Sequence, residues 1–492
     1  MAVSLFTFLS PNFMRELVQK LFKNGKMATP QALELVKEKN LKVEDILKIN
    51  FDIIDPAALE SLLKKAPGAA EKDAEPLQPK VEVRRARKKK LAEEYSVDFR
   101  LENSTFTPRE RKAVDFTNYF NSRFMLLQSL LVKRLNPISI ANISRSGSDS
   151  INIIGMVNDI RTTGNGNKII ELEDPSGRIA CLAAKNVSEQ IFEESNNLLL
   201  DEVIGVSGSF KNGLFFVREI IRPDVPVTNA PNHLEAPVKA VFISDLHFGS
   251  KDFLEDPFRN FLKWINSRKA DAVKYVFVAG DLCDGLGIYI GQENELFIKE
   301  PDRQYSVLSD LLAQIPEHIK IIVCPGNHDI VGNHEPQQLL DFTALSKLPN
   351  VVFATNPATV ILDNRLRILM YHGYSYDDVI AELPRIRHDG YDKPCLPMLE
   401  VLKRRHLSPA YGGSLIVPES RDCLVIDRVP DIFHSGHLHT VGLESYRNVT
   451  MINSGTFQGR TGFQEKMGHH PHPGIFISMD MMTRKTEMIN VN

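Results

Sequence analysis

The hydrophobic pattern of the chain changes several times, and the first stretch has helical spacing. Phe13, Leu17 and Leu21 recur every four residues, so one face of a helix would carry all three side chains. A later helical stretch begins at Pro30, a residue type that is well tolerated in the first turn of a helix. We therefore predict a small helical module over residues 1–65.

The next segment loses this periodicity. Residues 66–100 are rich in alanine, proline and charge and contain a basic run between Arg84 and Lys90, which is typical of a charged linker. Such a run is usually solvated, although it can also contact phosphates. We predict a helical connector over residues 101–149, with a long helix starting near Thr107. Its apolar face would consist of Phe116, Tyr119, Phe120, Phe124, Leu127 and Leu130.

Between residues 150 and 222 the pattern alternates as strands do. Five strand-like segments are separated by turn signals at 164–167, 175–177 and 211–213, and a short helical pattern falls between the third and fourth. That order matches an OB-fold barrel, which commonly binds single-stranded nucleic acid. We expect an OB-fold over residues 150–225, and a barrel used only for protein contact is an equal alternative.

From residue 238 to residue 492, short apolar strands alternate with helical stretches. The segments at 239–247, 274–281, 319–329 and 366–373 each end in a polar cluster. The carboxyl ends of parallel strands meet at one edge of a sheet, and α/β folds build their active sites there. The sequence therefore predicts an α/β domain over 238–492 with its chemistry at the strand ends.

Composition narrows the class of protein further. The chain has 59 basic and 62 acidic residues, a formal net charge of -3, so any nucleic-acid site must be a local patch. We expect no membrane span and no secretory signal. The five cysteines are scattered without a CxxC pair, which favours a cytoplasmic protein over a disulfide framework or a structural zinc. All 14 histidines lie at or after His233, so we expect chemistry only in the second half.

The strand-end clusters supply donors for metal ions. Asp245 and His247 are two residues apart in an extended segment and can bind one ion, and Asp281 can bridge two ions about 3.5–4 Å apart. His437 and His439 share a face, although a loop could direct them to different ions. Carboxylate, imidazole and amide donors suit Mn²⁺, our first expectation, and also Mg²⁺, Fe²⁺ or Zn²⁺. The full candidate ligand set is Asp245, His247, Asp281, Asn327, His372, His437 and His439.

These motifs together resemble the calcineurin-like metallophosphoesterase family. The matching patterns are D-x-H, G-D, G-N-H-D, H-G and G-H-x-H, in this order over about residues 238–480. The resemblance implies a two-sheet α/β sandwich with two divalent metal ions. It implies that His328 is the general acid that protonates the leaving oxygen, with Asp329 as its orienting partner. The implied ligands are Asp245, His247, Asp281 and His439 for one ion, and Asp281, Asn327, His372 and His437 for the other.

A narrower resemblance follows from the flanking residues. The segments 402–413, 427–439 and 452–468 are similar to the small subunit of the archaeal family D DNA polymerase, and that similarity extends over about residues 100–492. It implies a proofreading 3′→5′ exonuclease that acts on single-stranded or mismatched DNA 3′ ends. It also implies a large catalytic polymerase subunit as the partner, for which this chain would be a scaffold.

Two alternatives stay open at this point. The chain could be another metallophosphoesterase, such as a free-standing nuclease or a cyclic-nucleotide phosphodiesterase, and co-purification of a large polypeptide would distinguish the two. It could instead be a non-catalytic scaffold, as in related polymerase subunits that have lost their metal ligands. The complete ligand set argues against a scaffold, and manganese-dependent degradation of single-stranded DNA would exclude it.

Overall fold

The computed structural model describes residues 90–106, 109–146 and 150–492, together with scattered residues between 27 and 54. The chain divides into two compact units, Met1–Ala86 and Arg87–Asn492. The first unit contains two short parallel strands, β1 (Met27–Ala28) and β2 (Ile53–Ile54). These strands accompany scattered helical residues in the module predicted over residues 1–65, and the β-branched isoleucine pair favours a strand. The helix predicted at Phe13 to Leu21 and the linker up to residue 89 lie outside the described residues.

The second unit contains three groups of strands. In chain order these are β3 (Phe99–Asn103), β4 (Ile151–Thr162), β5 (Lys168–Asp174), β6 (Gly177–Ala183), β7 (Val203–Lys211), β8 (Leu214–Ile221), β9 (Lys239–Ile243), β10 (Val273–Ala279), β11 (Lys320–Cys324), β12 (Val351–Phe353), β13 (Ala358–Leu362), β14 (Leu366–Met370), β15 (Ile432–Ser435), β16 (Gly442–Tyr446), β17 (Val449–Asn453), β18 (Ile475–Asp480) and β19 (Thr486–Asn490). Strands β4 to β8 form a closed barrel, and the others form two six-stranded sheets.

Helices cover the outer faces of the sheets and connect the barrel to them. The α-helices are α1 (Ala113–Val132), α2 (Glu189–Asn196), α3 (Glu255–Ile265), α4 (Pro301–Leu312), α5 (Thr343–Ser346), α6 (Tyr376–Glu382), α7 (Cys395–Arg404) and α8 (Gly462–Met467). Among the helices of the described residues, none combines the length and the hydropathy that a bilayer crossing would need. All five cysteines are free.

The two sheets face each other across an apolar core. One sheet has the order β12-β11-β10-β9-β18-β19 and the other β16-β17-β15-β14-β13-β3. Phe242 and Phe277 of the first sheet stack at 5.3 Å between ring centroids and pack with Ile368 and Ile432 of the second. Helices α3 and α4 cover the outer face of the first sheet, and α6 and α7 that of the second. The central parallel strands are buried on both faces, which explains their uninterrupted apolar sequences.

One strand lies where the sequence predicts none. Strand β3 pairs antiparallel with β13 and forms the edge of the second sheet, so the predicted boundary between a linker ending at residue 100 and a helical connector beginning at 101 is wrong. Phe99 and Leu101 pack against the core between the sheets, and their burial outweighs the charged composition around them. The helix predicted from Thr107 begins only at Ala113, because the Asp115 carboxylate caps it by accepting the Lys112 N–H at 2.7 Å.

The barrel has the strand order β4-β5-β6-β8-β7. Adjacent strands of the barrel are antiparallel, except for the parallel pair β6 and β8. Helix α2 lies between β6 and β7 in the chain. Ile153, Val157, Ile170 and Phe215 are among the apolar side chains that fill its interior. The five strand-like segments and the intervening short helix therefore occur in the order that the sequence predicts.

Buried charges join the barrel to the sandwich. Helix α1 packs Phe124 and Leu127 against barrel strands, while its fully buried Arg123 donates from Nε to Asp422 Oδ2 at 2.8 Å. A second buried pair joins Arg404 Nε to Glu202 Oε2 at 2.6 Å. Breaking either pair would leave an uncompensated buried charge, which typically costs about 3–5 kcal/mol. The barrel is therefore held in one orientation relative to the two sheets.

Candidate metal centre

All seven candidate ligands follow the carboxyl ends of strands, and these strand ends lie together along one edge of the sandwich. Asp245 and His247 follow β9, Asp281 follows β10, and Asn327 follows β11, at the carboxyl ends of the first sheet. His372 follows β14, and His437 and His439 follow β15, at the carboxyl ends of the second. A cavity of about 350 Å³ opens over this edge and is lined by several of these ligands and by His328. The structure thus brings together residues that are almost 200 positions apart in the chain.

Three of the ligands converge to form one candidate ion site. His247 Nε2 lies 3.0 Å from His439 Nε2, and Asp245 Oδ1 lies 3.4 Å from His439 Nε2. Donor atoms of these three residues all fall within 4.8 Å of one another. Two imidazole nitrogens and a carboxylate oxygen at this spacing can bind a single divalent ion.

A second candidate ion site adjoins the first through Asp281. The Asp281 Oδ2 atom lies 3.5 Å from His247 Nε2 and 3.3 Å from His372 Nε2. His372 Nε2 is also 3.0 Å from Asn327 Oδ1, and its Nδ1 donates to the Ala279 main-chain oxygen at 2.8 Å. One carboxylate oxygen therefore stands between two groups of donors, as a bridging ligand must.

His437 contacts the cluster in a different way. Its main-chain N–H donates to both carboxylate oxygens of Asp245 at 3.0 Å. Its ring centroid lies 5.2 Å from that of His372, while its Nε2 is 3.1 Å from Asp377 Oδ2. If His437 binds an ion, Nδ1 is the atom that does so, because Asp377 occupies Nε2.

The backbone around the ligands is strained. The left-handed region is adopted by Asp245 (φ 52°), His247 (φ 48°), Asp281 (φ 51°), His437 (φ 69°) and His439 (φ 57°). Each such residue costs of the order of 1–3 kcal/mol, and strain of this kind clusters at functional sites. Gly326 is also required here, because a Cβ atom at that position would lie 2.1 Å from Asp281 Oδ1. The arrangement that brings these side chains together therefore lowers the free energy of unfolding.

The pKa values of the cluster reflect a surplus of buried negative charge. Burial would raise the pKa of Asp281, but the His372 and His328 imidazoles hold it well below the usual range. Burial would lower the pKa of His372, but Asp281 raises it to about 10, and Asp284 and Asp281 raise the pKa of His247 to about 9. Both histidines are drawn toward the protonated form because buried carboxylates need positive charge beside them. Divalent ions would supply that charge, so the residues present fit a two-ion centre.

Two carboxylates that orient candidate ligands, Asp284 and Asp377, are not predicted from the sequence. Asp284 Oδ1 accepts from His247 Nδ1 at 2.8 Å, and Asp377 holds His437. A metal-binding histidine commonly donates its second ring nitrogen to a carboxylate, which fixes the ring and its tautomer. The signal for Asp284 was available, since it stands three residues after Asp281 in the same turn. Asp377 lies in a helix far along the chain, and nothing in the sequence connects it to His437.

The structure separates the roles expected for His328 and Asp329. His328 lies in the cavity wall, and its Nδ1 donates to the Asp284 main-chain oxygen at 3.1 Å. The Asp329 carboxylate instead accepts from Tyr305 Oη at 2.7 Å and from the Gly326 N–H at 2.9 Å. The prediction that Asp329 orients His328 is therefore wrong, because the Asp329 carboxylate binds other groups. Asp329 braces the loops that carry the ligands, and Asp284 provides the contact to His328.

Comparison with known proteins places the chain in a family. The profile of the calcineurin-like phosphoesterase family matches residues 238–441. The chain is 43% identical over 371 residues to the DNA polymerase II small subunit of Archaeoglobus fulgidus, covering 73% of this chain and 74% of that protein. It is 43% identical over 367 residues to the protein of that name from Methanothermobacter thermautotrophicus, covering 71% and 74%. With the Thermoplasma acidophilum protein of that name, identity is 34% over 484 residues, covering 95% and 91%.

The two-sheet sandwich and its carboxylate–histidine cluster define the second unit as one that contains a calcineurin-like phosphoesterase domain. The relatives then fix the family more narrowly. The chain belongs to the family of archaeal DNA polymerase II small subunits.

Replacing Asp284 by alanine should weaken metal binding without removing a candidate ligand. We expect the affinity for Mn²⁺ to fall by about 10–100-fold, the usual effect of losing a carboxylate that orients a ligand. Isothermal titration calorimetry with Mn²⁺ measures this directly. Asp310→Ala is the matched control, because Asp310 is exposed on α4. Equal Mn²⁺ affinity in the two variants would contradict an orienting role for Asp284.

Proposed function

We propose that this chain is the 3′→5′ exonuclease subunit of a replicative DNA polymerase and hydrolyses DNA phosphodiesters at a two-ion centre. The observation that carries this proposal is the position of Asp281 Oδ2, between His247 on one side and His372 on the other. A shared carboxylate in a cavity of nucleotide size suits in-line displacement at phosphorus. The polymerase subunits among its relatives make DNA the substrate to test first.

The proposed mechanism assigns the leaving oxygen to His328. Divalent ions, manganese in the first place, would activate the attacking water and neutralise charge on the phosphate. The Nδ1 atom of His328 is held by the Asp284 main-chain oxygen, so Nε2 is the ring nitrogen available to substrate. As the bond from phosphorus to the 3′ oxygen breaks, a proton from Nε2 would pass to that oxygen. The products would be a nucleoside 5′-monophosphate and a DNA chain that is one nucleotide shorter and ends in a 3′ hydroxyl.

The barrel supports a nucleic-acid substrate. We assign it to the OB-fold, since its order β4-β5-β6-β8-β7 and its parallel pair β6 and β8 fit that topology. OB-folds bind single strands through basic and aromatic side chains. The buried pairs at Asp422 and Glu202 hold the barrel fixed against the phosphoesterase domain. A strand bound to the barrel would therefore keep one position relative to the phosphoesterase domain.

The proposed partner is a large polymerase subunit. The relatives are named as small subunits of DNA polymerase II, and the sequence contains no recognisable polymerase active site. We propose that DNA synthesis belongs to the large chain and that this chain serves as its scaffold.

The test is isolation of the native complex with identification of its chains. Its nuclease activity is then followed on a DNA primer labelled at the 5′ end, whose shortening from the 3′ end gives a ladder of products. We expect a large polypeptide to co-purify and manganese to support the ladder, with chelator abolishing it. A nuclease that purifies alone would favour a free-standing enzyme, and a complex without nuclease activity would favour a scaffold.

Removing residues 1–86 should leave phosphodiesterase activity intact. The second compact unit begins at Arg87, and Ala92 is fully buried in it. Removal of residues 1–104 should instead unfold the domain, because it deletes β3 from the sheet. Circular dichroism melting and manganese-dependent hydrolysis of a nitrophenyl phosphodiester compare the two chains. A folded but inactive chain starting at Arg87 would show that the first unit contributes to catalysis.

A further inference from the structure

The cavity over the candidate metal centre has aromatic walls. Besides the ligands, its lining includes the rings of Tyr289, Tyr391, Phe463 and His469. A bare phosphate ester would gain nothing from such walls, because its charge interacts with cations and hydrogen-bond donors. Aromatic walls beside a phosphodiester site suit a ligand that has flat rings attached to its phosphate, as nucleotides do.

Two of these four rings stack on each other, so each already has one face covered. Tyr391 and His469 stack with centroids 4.2 Å apart and planes at 23°, and the Tyr391 hydroxyl donates to Asp377 Oδ1 at 2.9 Å. This pair forms a fixed wall. Tyr289 and Phe463 differ, since they are 43% and 64% exposed. Exposing a large ring to water is unfavourable, so exposure at the mouth of a catalytic cavity indicates a binding surface.

Tyr289 is held in place beside the proposed general acid. Its hydroxyl donates to Glu295 Oε2 at 2.7 Å, and its ring centroid lies 6.4 Å from that of His328. In 3′→5′ cleavage the oxygen protonated by His328 belongs to the DNA chain that remains. A ring next to His328 is therefore placed for the base of that remaining nucleotide.

Phe463 stands beside the first candidate ion site, the one that includes His439. It belongs to α8, where the next residue, Gln464, has its Nε2 2.9 Å from Nδ1 of the candidate ligand His439. The Thr461 hydroxyl caps the helix by accepting the Gln464 N–H at 3.2 Å, which fixes the segment that presents the ring. Phe463 is thus exposed yet anchored through its neighbours.

We propose that Tyr289 and Phe463 stack on bases at an unpaired 3′ end of DNA and so position the strand for cleavage. This inference rests on the proposed exonuclease function and names the side chains that select its substrate. A paired base has both faces covered within the duplex, so it must leave the stack before it can lie on either ring. Leaving the stack is easiest for a mismatched or single-stranded base. The two rings would therefore give a physical basis for preferring unpaired ends.

The test measures binding and turnover separately in the full-length protein, with Tyr289→Leu, Phe463→Ala and Phe297→Ala. Phe297 is 69% exposed and is absent from the cavity lining described above, so it is the matched control. With manganese and single-stranded oligothymidylate, each cavity variant should raise KM by about 5- to 150-fold with little change in kcat, the usual loss for one stacked base. Phe297→Ala should match the wild-type chain.

A second substrate identifies stacking as the cause. In it the last two nucleotides lack their bases, and we expect the wild-type chain and both cavity variants to share one raised KM. Variants that lose equally on both substrates, or that match Phe297→Ala, would overturn the proposal. Anisotropy with an oligothymidylate whose 3′ linkages are phosphorothioates, which resist hydrolysis, gives Kd without turnover. Ring-dependent Kd values without any hydrolysis of normal DNA would overturn the exonuclease function and leave the stacking proposal standing.

Discussion

Replacing Asp281 by alanine should abolish DNA hydrolysis while the domain stays folded. The Oδ2 atom of this residue lies between His247 and His372, so its loss disturbs both candidate ion sites at once. Removal of a single electrostatic contact to a reacting group costs about 10²–10³-fold in rate, and we expect loss of a shared ligand to exceed that range. The rate of 3′ end removal, measured with manganese in excess, tests this expectation.

The fold should tolerate the Asp281 substitution. The surrounding loops retain the contacts made by Asp329 with Tyr305 and Gly326. His372 and His247 can lose their protons once the carboxylate that raises their pKa is gone, so no unpaired charge has to stay buried. A melting temperature near that of Asp310→Ala would show that lost activity is not lost structure. Near-normal turnover by the folded Asp281 variant would rule out a two-ion centre.

Replacing His328 by alanine should reduce turnover by ~10²–10⁴-fold without changing the metal content, the usual worth of a general acid. The 3′ oxygen of DNA is a poor leaving group and needs a proton. The loss should shrink on a nitrophenyl phosphodiester, whose leaving group departs without protonation. Rates on both substrates, with metal analysis of the purified variant, test this role. An equal loss on both substrates would mean that His328 only positions the phosphate.

Asn327→Ala is the comparison that distinguishes a ligand from an acid. Asn327 Oδ1 faces His372 Nε2 at 3.0 Å, so its loss should weaken one ion site, and excess manganese should restore part of the rate. His328→Ala should not respond to added manganese. Recovery of the His328 variant by manganese would place that residue among the ligands.

Most of the strands and helices could be predicted from the sequence, because local patterns of apolar, polar and turn residues indicate them. The five barrel strands follow from alternation and turn residues, and the central strands of the first sheet from short apolar runs that end in polar residues. The candidate ligands were found because each occupies a turn directly after such a strand. Their grouping needed no knowledge of distances, since parallel strands deliver their carboxyl ends to one edge.

What the sequence missed depends on partners far away in the chain. Strand β3 has an unremarkable pattern, and only its pairing with β13 makes it a strand. Arg123 is a charged residue on a helix, and its complete burial depends on Asp422. Asp329 adjoins His328 in sequence, but the turn between them directs the two side chains to different neighbours. Proximity along the chain was therefore a poor guide to which carboxylate contacts His328.

The pairing of β3 with β13 has a consequence for how the protein is made. On the ribosome β3 emerges before the barrel, but its partner appears only after the barrel and the central strands of the first sheet. The barrel can close as soon as β8 is complete, since all of its strands are contiguous in the chain. During that interval Phe99 and Leu101 have no sheet to cover them, and exposed apolar strands are prone to aggregation. The order of the strands in the chain therefore allows the barrel to be complete at a stage when the sandwich still lacks β13 and the strands that follow it.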